Sequence, residues 1–235
     1  MRILITGVGG PTPRSFGISL KKYSVYKRFE LIGTDVNPLA IGLYQDQLFS
    51  KTYVVPPARQ SDEYWQAIEK IVENEKIEMA VILPELEVIE WSKRKSSGSP
   101  LPCKALIPDL SIASLLVDKA AMTAKLEDLN IVPLSVSFSP GSYDVKAIID
   151  VLSFPFWVRS SSGTSGLGSL KVENEEALRN WIFINPGVEK FLASKYLSGR
   201  NLACKLLYNN GKLVRAATGE RVNYIMAKVA PSGIT

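Results

Sequence analysis

A run of glycines and hydroxyl residues offers the clearest chemistry in this chain. Arg159 ends a predicted strand, and residues 160–169 then contain three glycines set among serines and a threonine. Glycine lets backbone amides approach phosphate oxygens closely, and hydroxyl groups beside the cation supply further hydrogen-bond donors. We therefore predict a phosphate-binding loop, with a flexible connection between two strands as the alternative. The segment is not a P-loop, because the Gly-Lys-Ser/Thr ending is absent.

Two shorter segments could contribute further ligand contacts. Asp118 and Lys119 open a predicted helix, where a lysine side chain is ordinarily solvated. Residues 194–199 leave a predicted strand, and taken by themselves they predict only a bend. Each segment gains meaning only in combination with the glycine loop.

A second glycine-rich segment, residues 7–10, suggests a dinucleotide-binding fingerprint together with Asp35 at the end of the next predicted strand. The third glycine of that motif would fall at Thr12, and Pro11 and Pro13 disrupt the helix start that should hold the pyrophosphate. A tight turn at the edge of the sheet is the simpler interpretation. A NAD-dependent oxidoreductase is the weaker alternative.

Composition excludes several classes of site. The chain has no histidine, and Cys103 and Cys204 lack metal-ligand spacing, so a zinc site and a histidine-based triad are excluded. The net charge of +5 suits a polyanionic small ligand. The basic run 93–95 lacks interleaved aromatics, so we expect a solvated loop and no nucleic-acid partner. With neither a signal sequence nor an apolar run of roughly 20 residues, we expect a cytoplasmic protein without a membrane partner.

The elements that would position these residues change in character along the chain. Short apolar strands at 2–6, 30–35, 51–55 and 79–83 alternate with helices, of which 62–74 is the clearest. This alternation predicts an α/β domain with a doubly wound, mainly parallel sheet. A further short strand at 105–108 would close that domain near residue 110, after a loop over 93–102.

The second half has a mixed, α+β pattern. Asp118 and Asn174 are residue types that cap helices, and both precede predicted helices. Strands are predicted between and after these helices, the last two joined by the hairpin signal Asn209-Asn210-Gly211. The predicted strands are 154–158, 170–172, 191–194, 202–208 and 212–217.

In this order the segments resemble the ATP-grasp superfamily, especially its carbamoyl-phosphate-synthase-like and biotin-carboxylase-like branch. The opening Ile-Leu-Ile-Thr-Gly-Val-Gly-Gly, the Leu-Ile-Gly-Thr-Asp strand and Val-Ile-Leu-Pro-Glu-Leu-Glu resemble the domain that precedes the ATP-grasp core. Asp118-Lys119, Phe154-Pro-Phe-Trp-Val-Arg159 with its loop, and Lys195-Tyr-Leu with Gly199 resemble the core. The resemblance implies a Rossmann-like domain at 1–110, a linker helix and lid subdomain at 111–193, and the beginning of the C-terminal subdomain at 194–235.

The resemblance also implies roles for individual residues. Lys119 and Arg159 would contact the ATP phosphates under a mobile glycine lid, and Asn201 would stand where the family usually binds the ribose with an acid. Lys228 resembles a late lysine near the terminal phosphate, although an ordinary structural position is equally compatible, so the catalytic candidates are Arg159 and Lys228. The lid would contribute Ser161, Gly163, Thr164, Ser165, Gly166 and Gly168, and adenine would meet the backbone of Ser194, Lys195, Tyr196 and Leu197.

Two departures from the family pattern matter. Ser194 stands where many relatives carry glutamate, which weakens the side-chain part of adenine recognition. The acidic and asparagine ligands of Mg²⁺ would come after Thr235, and Glu220 is too early for that role, so no metal ligand is assigned.

The activity implied is an ATP-dependent ligase that converts a small carboxylate to an acyl phosphate for attack by an amine or similar nucleophile. We expect residues 1–235 alone to be inactive. A non-catalytic nucleotide-binding or assembly module is the alternative. Glu85 and Glu87 are weak candidates for lining a substrate pocket, and a homodimer stays open.

Overall fold

The computed structural model describes residues 1–23, 29–163, 168–209, 211–221, 223–226 and 230–234, the last two ranges as backbone. The chain divides into two compact units, Met1–Ser114 and Leu115–Thr235. In the part of the chain so described, no helix combines the length and the apolar character needed to cross a membrane.

The first unit is built on a five-stranded parallel sheet in the order β3-β2-β1-β4-β5. Its central strand is almost wholly buried, as the apolar run Ile3-Leu4-Ile5 predicts for a parallel strand covered on both faces. The strands are β1 (Arg2–Thr6), β2 (Glu30–Asp35), β3 (Lys51–Val54), β4 (Met79–Val81) and β5 (Lys104–Ala105).

Helices cover both faces of this sheet. Successive strand residues point to opposite sides, and the central side chains of β1 are apolar on both sides, so each face needs a cover. Leu4 packs in a core with Tyr64 and Trp91, whereas Ile3 and Ile5 pack in a second core on the other face. This doubly wound α/β arrangement confirms the predicted fold class of the first part. The covering helices are α1 (Pro11–Tyr23), α2 (Ser61–Glu75) and α3 (Glu85–Ser96), and α4 (Leu110–Val117) follows β5 in the chain.

The second unit contains a four-stranded antiparallel sheet in the order β6-β9-β7-β8. Phe156, Val158 and Phe191 turn one face of the sheet into a buried core with Ile148 and Leu178. The strands are β6 (Ser135–Phe138), β7 (Phe156–Ser160), β8 (Leu170–Val172) and β9 (Phe191–Lys195).

Three helices in this unit begin at side-chain caps. Asp118 and Asp144 each accept two backbone amides, and Asn174 accepts one, at the starts of α5 (Lys119–Leu126), α6 (Val145–Leu152) and α7 (Glu175–Phe183). These caps satisfy amides that have no partner inside the helix. The antiparallel sheet with its helices confirms the predicted α+β character.

Two antiparallel hairpins follow. Strands β10 (Leu202–Asn209) and β11 (Lys212–Glu220) pair with a register shift at Leu207/Tyr208. Strands β12 (Asn223–Met226) and β13 (Ala230–Ile234) pair next.

Candidate functional site

Lys119 meets the segment that follows Arg159. The Asp118 carboxylate accepts hydrogen bonds from the amides of Ala120 and Ala121, and so fixes where α5 begins. At this point the Lys119 amide donates to the Ser161 carbonyl at 2.8 Å. The Lys119 ammonium donates to the Gly163 carbonyl at 2.6 Å. The helix start and the glycine loop, 44 residues apart in sequence, are therefore in direct contact.

Arg159 lies on the face of β7 that turns away from the buried core. Phe156, Val158 and Ser160 are buried, whereas Trp157 and Arg159 alternate with them and are half-buried. Burial lowers the pKa of Arg159 below its ordinary value, because it removes water from the charged form. Among the described residues, none accepts a hydrogen bond from its guanidinium or forms an ion pair with it. A partly dehydrated cation of this kind favours an anionic ligand.

The described part of the glycine loop is anchored to the sheet. Gly163 and Gly168 adopt left-handed backbone conformations, with φ of +86° and +66°. A Cβ at Gly168 would lie 3.1 Å from the Ser160 nitrogen, so the loop returns close to β7. The Ser161 amide donates to the Lys190 carbonyl at 2.9 Å, so both backbone groups of Ser161 already have partners. The predicted contacts at Thr164, Ser165 and Gly166 lie outside the described residues.

The segment predicted to meet adenine leaves the end of β9. Ser194 is buried, and its Oγ lies 2.8 Å from Ser135 Oγ. The Lys195 amide donates to the Leu134 carbonyl at 2.8 Å. Tyr196 and Leu197 follow the strand and are 37% and 69% exposed. Sheet pairing therefore occupies Ser194 and Lys195, whereas the next two residues extend beyond it.

The remaining nucleotide candidates are Asn201, directly before the first hairpin, and Lys228, which comes after it in the sequence. The carbonyl of Asn201 accepts a hydrogen bond from the Arg221 amide at 2.8 Å. The Glu220 carboxylate forms two hydrogen bonds with the Arg200 guanidinium, at 2.9 and 2.6 Å. Lys228 lies outside the described residues.

The described residues do not fit a metal ion. Across the ranges given above, no group of three or more Cys, Asp or Glu residues could hold one.

The first glycine segment is explained by packing. The Asp35 carboxylate accepts the Gly9 amide at 2.7 Å and the Asn37 amide at 2.9 Å, and the residue is 8% exposed. Both carboxylate oxygens are therefore engaged with the backbone. A Cβ at Gly9 would lie 2.9 Å from the Ala40 side chain. This geometry favours the tight turn over a dinucleotide fingerprint, whose acid must reach a ribose.

Glu87 is a buried acid whose environment the sequence pattern did not indicate. It is 3% exposed and accepts a hydrogen bond from the Tyr64 hydroxyl at 2.9 Å. The Trp91 indole in turn donates to that hydroxyl. Burial raises the pKa of Glu87 to about 7. Glu87 therefore lies within the core of the first unit, whereas a residue that lines an open pocket would be exposed.

Comparison with solved structures identifies the fold. The chain is similar to N5-carboxyaminoimidazole synthetase from Staphylococcus aureus complexed with ADP, with a TM-score of 0.67, 16% identity, and coverage of 94% of this chain and 54% of that chain. The chain is also similar to an L-amino acid ligase from Bacillus licheniformis, with a TM-score of 0.62, 11% identity, and coverage of 94% of this chain and 50% of that chain. For a D-alanine–D-alanine ligase from Bacillus anthracis complexed with ATP, the TM-score is 0.58 and the identity 14%, with coverage of 100% of this chain and 71% of that chain.

These proteins are ATP-grasp enzymes, so the chain has the fold that the sequence motifs led us to expect. No protein-family description matches the sequence. No curated protein matches it either. The chain spans about half the length of the first two structures.

Proposed function

We propose that this chain is the ATP-binding portion of an ATP-grasp ligase, which activates a small carboxylate as an acyl phosphate for attack by an amine or similar nucleophile. Residues 1–110 would form the domain that precedes the ATP-grasp core. Residues 111–193 would form the linker helix and lid subdomain, and residues 194–235 the beginning of the C-terminal subdomain.

One observation carries the proposal. The Lys119 ammonium and the half-buried Arg159 guanidinium belong to segments joined by two hydrogen bonds, at Ser161 and Gly163. Lys119 contacts the Gly163 carbonyl, whereas Arg159 has no partner among the described residues. Two cations arranged in this way favour the binding of a polyanion. The likeness in fold to structures crystallised with ADP or ATP supports a nucleotide as that polyanion.

The cations would act on the phosphates. Arg159 would bind phosphate oxygens with its forked donors, because a guanidinium suits paired oxygens. Lys119 would exchange the Gly163 carbonyl for a phosphate oxygen when ATP enters. The lid candidates would cover the phosphates and exclude water. They comprise Ser161, Gly163, Thr164, Ser165, Gly166 and Gly168.

The base and ribose would lie further along the same unit. The backbone of Tyr196 and Leu197 is the best placed to meet the base, because the Lys195 amide is already paired with Leu134. Asn201 would contact the ribose. Lys228 would approach the terminal phosphate.

The reaction follows from this arrangement. A carboxylate oxygen attacks the γ-phosphorus, the bond from that phosphorus to the β-phosphate oxygen breaks, and ADP leaves. An amine then attacks the carbonyl carbon of the acyl phosphate, inorganic phosphate leaves, and the nitrogen loses a proton. Positioning and charge stabilisation dominate phosphoryl transfer, so Arg159 and Lys119 would hold the oxygens on which charge accumulates.

A non-catalytic nucleotide-binding module is the second candidate. The lack of a metal-ligand set in the described ranges favours it. Magnesium-dependent ATP turnover with any carboxylate by residues 1–235 would reject the module. Binding without turnover is expected of both candidates, because we expect residues 1–235 of the ligase to be inactive by themselves.

Substitution of Arg159 tests the proposed site. We expect Arg159→Ala to weaken binding of a non-hydrolysable ATP analogue at least about tenfold, or about 1.4 kcal/mol, because a charge-assisted contact is lost. Titration calorimetry measures this directly. Arg179→Ala is a matched control, because Arg179 is exposed on α7 of the same unit and pairs with Glu175. Unchanged affinity in Arg159→Ala would exclude this site.

A further inference from the structure

Ser135 and Ser194 form a hydroxyl pair that can reverse its direction. Ser135 Oγ lies 2.8 Å from the Pro133 carbonyl oxygen and 2.8 Å from Ser194 Oγ. Each hydroxyl has one hydrogen to donate and two lone pairs to accept with. If Ser135 donates to Pro133, Ser194 donates to Ser135 and offers only lone pairs to a ligand. If Ser135 donates to Ser194, the hydrogen of Ser194 is free for a ligand.

This pair lies on the face of the sheet that carries the proposed phosphate cation. Ser194 is directly opposite Ser135 on one side and Trp157 on the other, so all three side chains share a face. Arg159 lies two residues after Trp157 and therefore on the same face, roughly 7 Å further along the strand. A base placed against Trp157 and Ser194 would thus leave Arg159 within reach of its phosphates.

The side chains near the base do not select its polar group. An indole stacks on any base, since every base has a π-face. Tyr196 and Leu197 each add one backbone donor and one backbone acceptor. Lys171 is directly opposite Trp157 on that face. Its ammonium forms an ion pair with Glu173 at 2.9 Å and lies 5.1 Å from the centre of the Tyr196 ring, so the two nearby charges are engaged with each other.

We propose that the site accepts 6-oxo purine nucleotides, such as GTP, as well as 6-amino purine nucleotides, because the Ser135–Ser194 pair reverses. This inference rests on the proposed nucleotide site. A 6-amino group donates a hydrogen, and Ser194 meets it as an acceptor. A 6-oxo group accepts one, and Ser194 meets it as a donor after two hydroxyl rotations. The second arrangement removes a hydrogen bond from the Pro133 carbonyl, so we expect a preference for the amino group of about fivefold.

Calorimetry with the non-hydrolysable imido analogues of ATP and GTP tests the proposal on the unmodified chain. We expect dissociation constants within about fivefold of each other, and both at least about tenfold tighter than that of inorganic tripolyphosphate. Ser194→Asp makes this position an acceptor only, and we expect it to weaken the GTP analogue at least about tenfold relative to the ATP analogue. Ser194→Ala removes donor and acceptor together and leaves the Ser135 hydrogen on the Pro133 carbonyl with either analogue. Both analogues should therefore weaken, and the preference for the ATP analogue should fall towards one.

Three results would overturn the proposal. The first is a preference for the ATP analogue above about tenfold in the unmodified chain. The second is equal binding of tripolyphosphate, which would mean that the base is not contacted. The third is an unchanged ratio in a Ser194→Asp protein that melts near the temperature of the unmodified chain. After the first and third results the proposed nucleotide site survives if Arg159→Ala still weakens ATP binding, whereas after the second only its phosphate contacts survive. Failure of both nucleotides to bind removes the two proposals together.

Discussion

The proposed role of Arg159 depends on the surroundings of its side chain. Its strand neighbours place it on the face opposite the core, and burial removes part of its water. No described carboxylate compensates for that loss. Arg94, by comparison, has Glu69 as an ion-pair partner and stacks on the Trp65 ring at 4.3 Å. This contrast is the reason that we propose Arg159 as a phosphate contact.

Residue-scale prediction succeeded where the cause is local. Asp118 and Asn174 cap helices as predicted, because a cap needs only the next few amides. Residue-scale prediction failed where the hydrogen-bond partner is remote in sequence. Asp35 turns inward to Gly9, 26 residues away, and Ser194 pairs with Ser135, 59 residues away. The spacing of residues along the chain does not predict such contacts.

Glu87 gives a residue-scale prediction about pH. Its folded carboxyl holds a proton up to about pH 7, whereas an ordinary one releases it near 4.5. The folded state therefore binds more protons between these values, so the free energy of unfolding should fall as pH rises through this window and then level off. Glu87→Gln keeps an acceptor for the Tyr64 hydroxyl without the charge. We expect it to raise the free energy of unfolding by about 1–3 kcal/mol at about pH 8.

Urea unfolding at several pH values measures this effect. Glu85→Gln is the control, because Glu85 lies in the same first turn of α3 but is half-exposed. It should leave the pH dependence unchanged. A Glu87→Gln protein whose stability still falls between pH 4.5 and 7 as in the unmodified chain would show that another group titrates.

At the scale of elements, the sequence indicated those with a regular apolar pattern. Strands β1 and β2 match the predicted bounds, 2–6 and 30–35. The predicted loop over 93–102 was wrong in its first part, because α3 continues to Ser96. The run 93–95 is charged, yet tertiary contacts such as the Arg94–Glu69 ion pair hold it in the helix. Helix α6 was not predicted, although Val145, Ile148 and Leu152 share one face.

The start of α5 gives an element-scale prediction. Asp118→Ala removes two hydrogen bonds at the helix start, and we expect a loss of about 1 kcal/mol in the free energy of unfolding. Because Lys119 contacts Ser161 and Gly163 from this first turn, affinity for the ATP analogue should fall as well, by about threefold or more. Urea unfolding and calorimetry measure the two effects on the same sample.

Asp144→Ala provides the matched control. Asp144 also accepts two amides, and α6 has the same length as α5, eight residues. A similar loss of stability with unchanged nucleotide affinity is expected there. If the two variants weaken nucleotide binding equally, the start of α5 has no special part in the site.

At the scale of the whole molecule, charge decides how a nucleotide should bind. The chain has 28 Lys and Arg against 23 Asp and Glu, a net charge of +5. The proposed site supplies cations, and no described group of acids could hold a metal. Free ATP carries more negative charge than its magnesium complex, and its attraction to a cationic site is correspondingly stronger.

We therefore expect an ATP analogue to bind residues 1–235 at least as tightly in EDTA as in magnesium, at matched ionic strength. Calorimetry in the two buffers measures the ratio, and Arg159→Ala should reduce the advantage of the metal-free nucleotide, because one of the attracting charges is gone. Binding that is tenfold tighter with magnesium would mean that the chain supplies metal ligands of its own. The non-catalytic module would then lose its support, and the ligase would gain the cation that phosphoryl transfer uses.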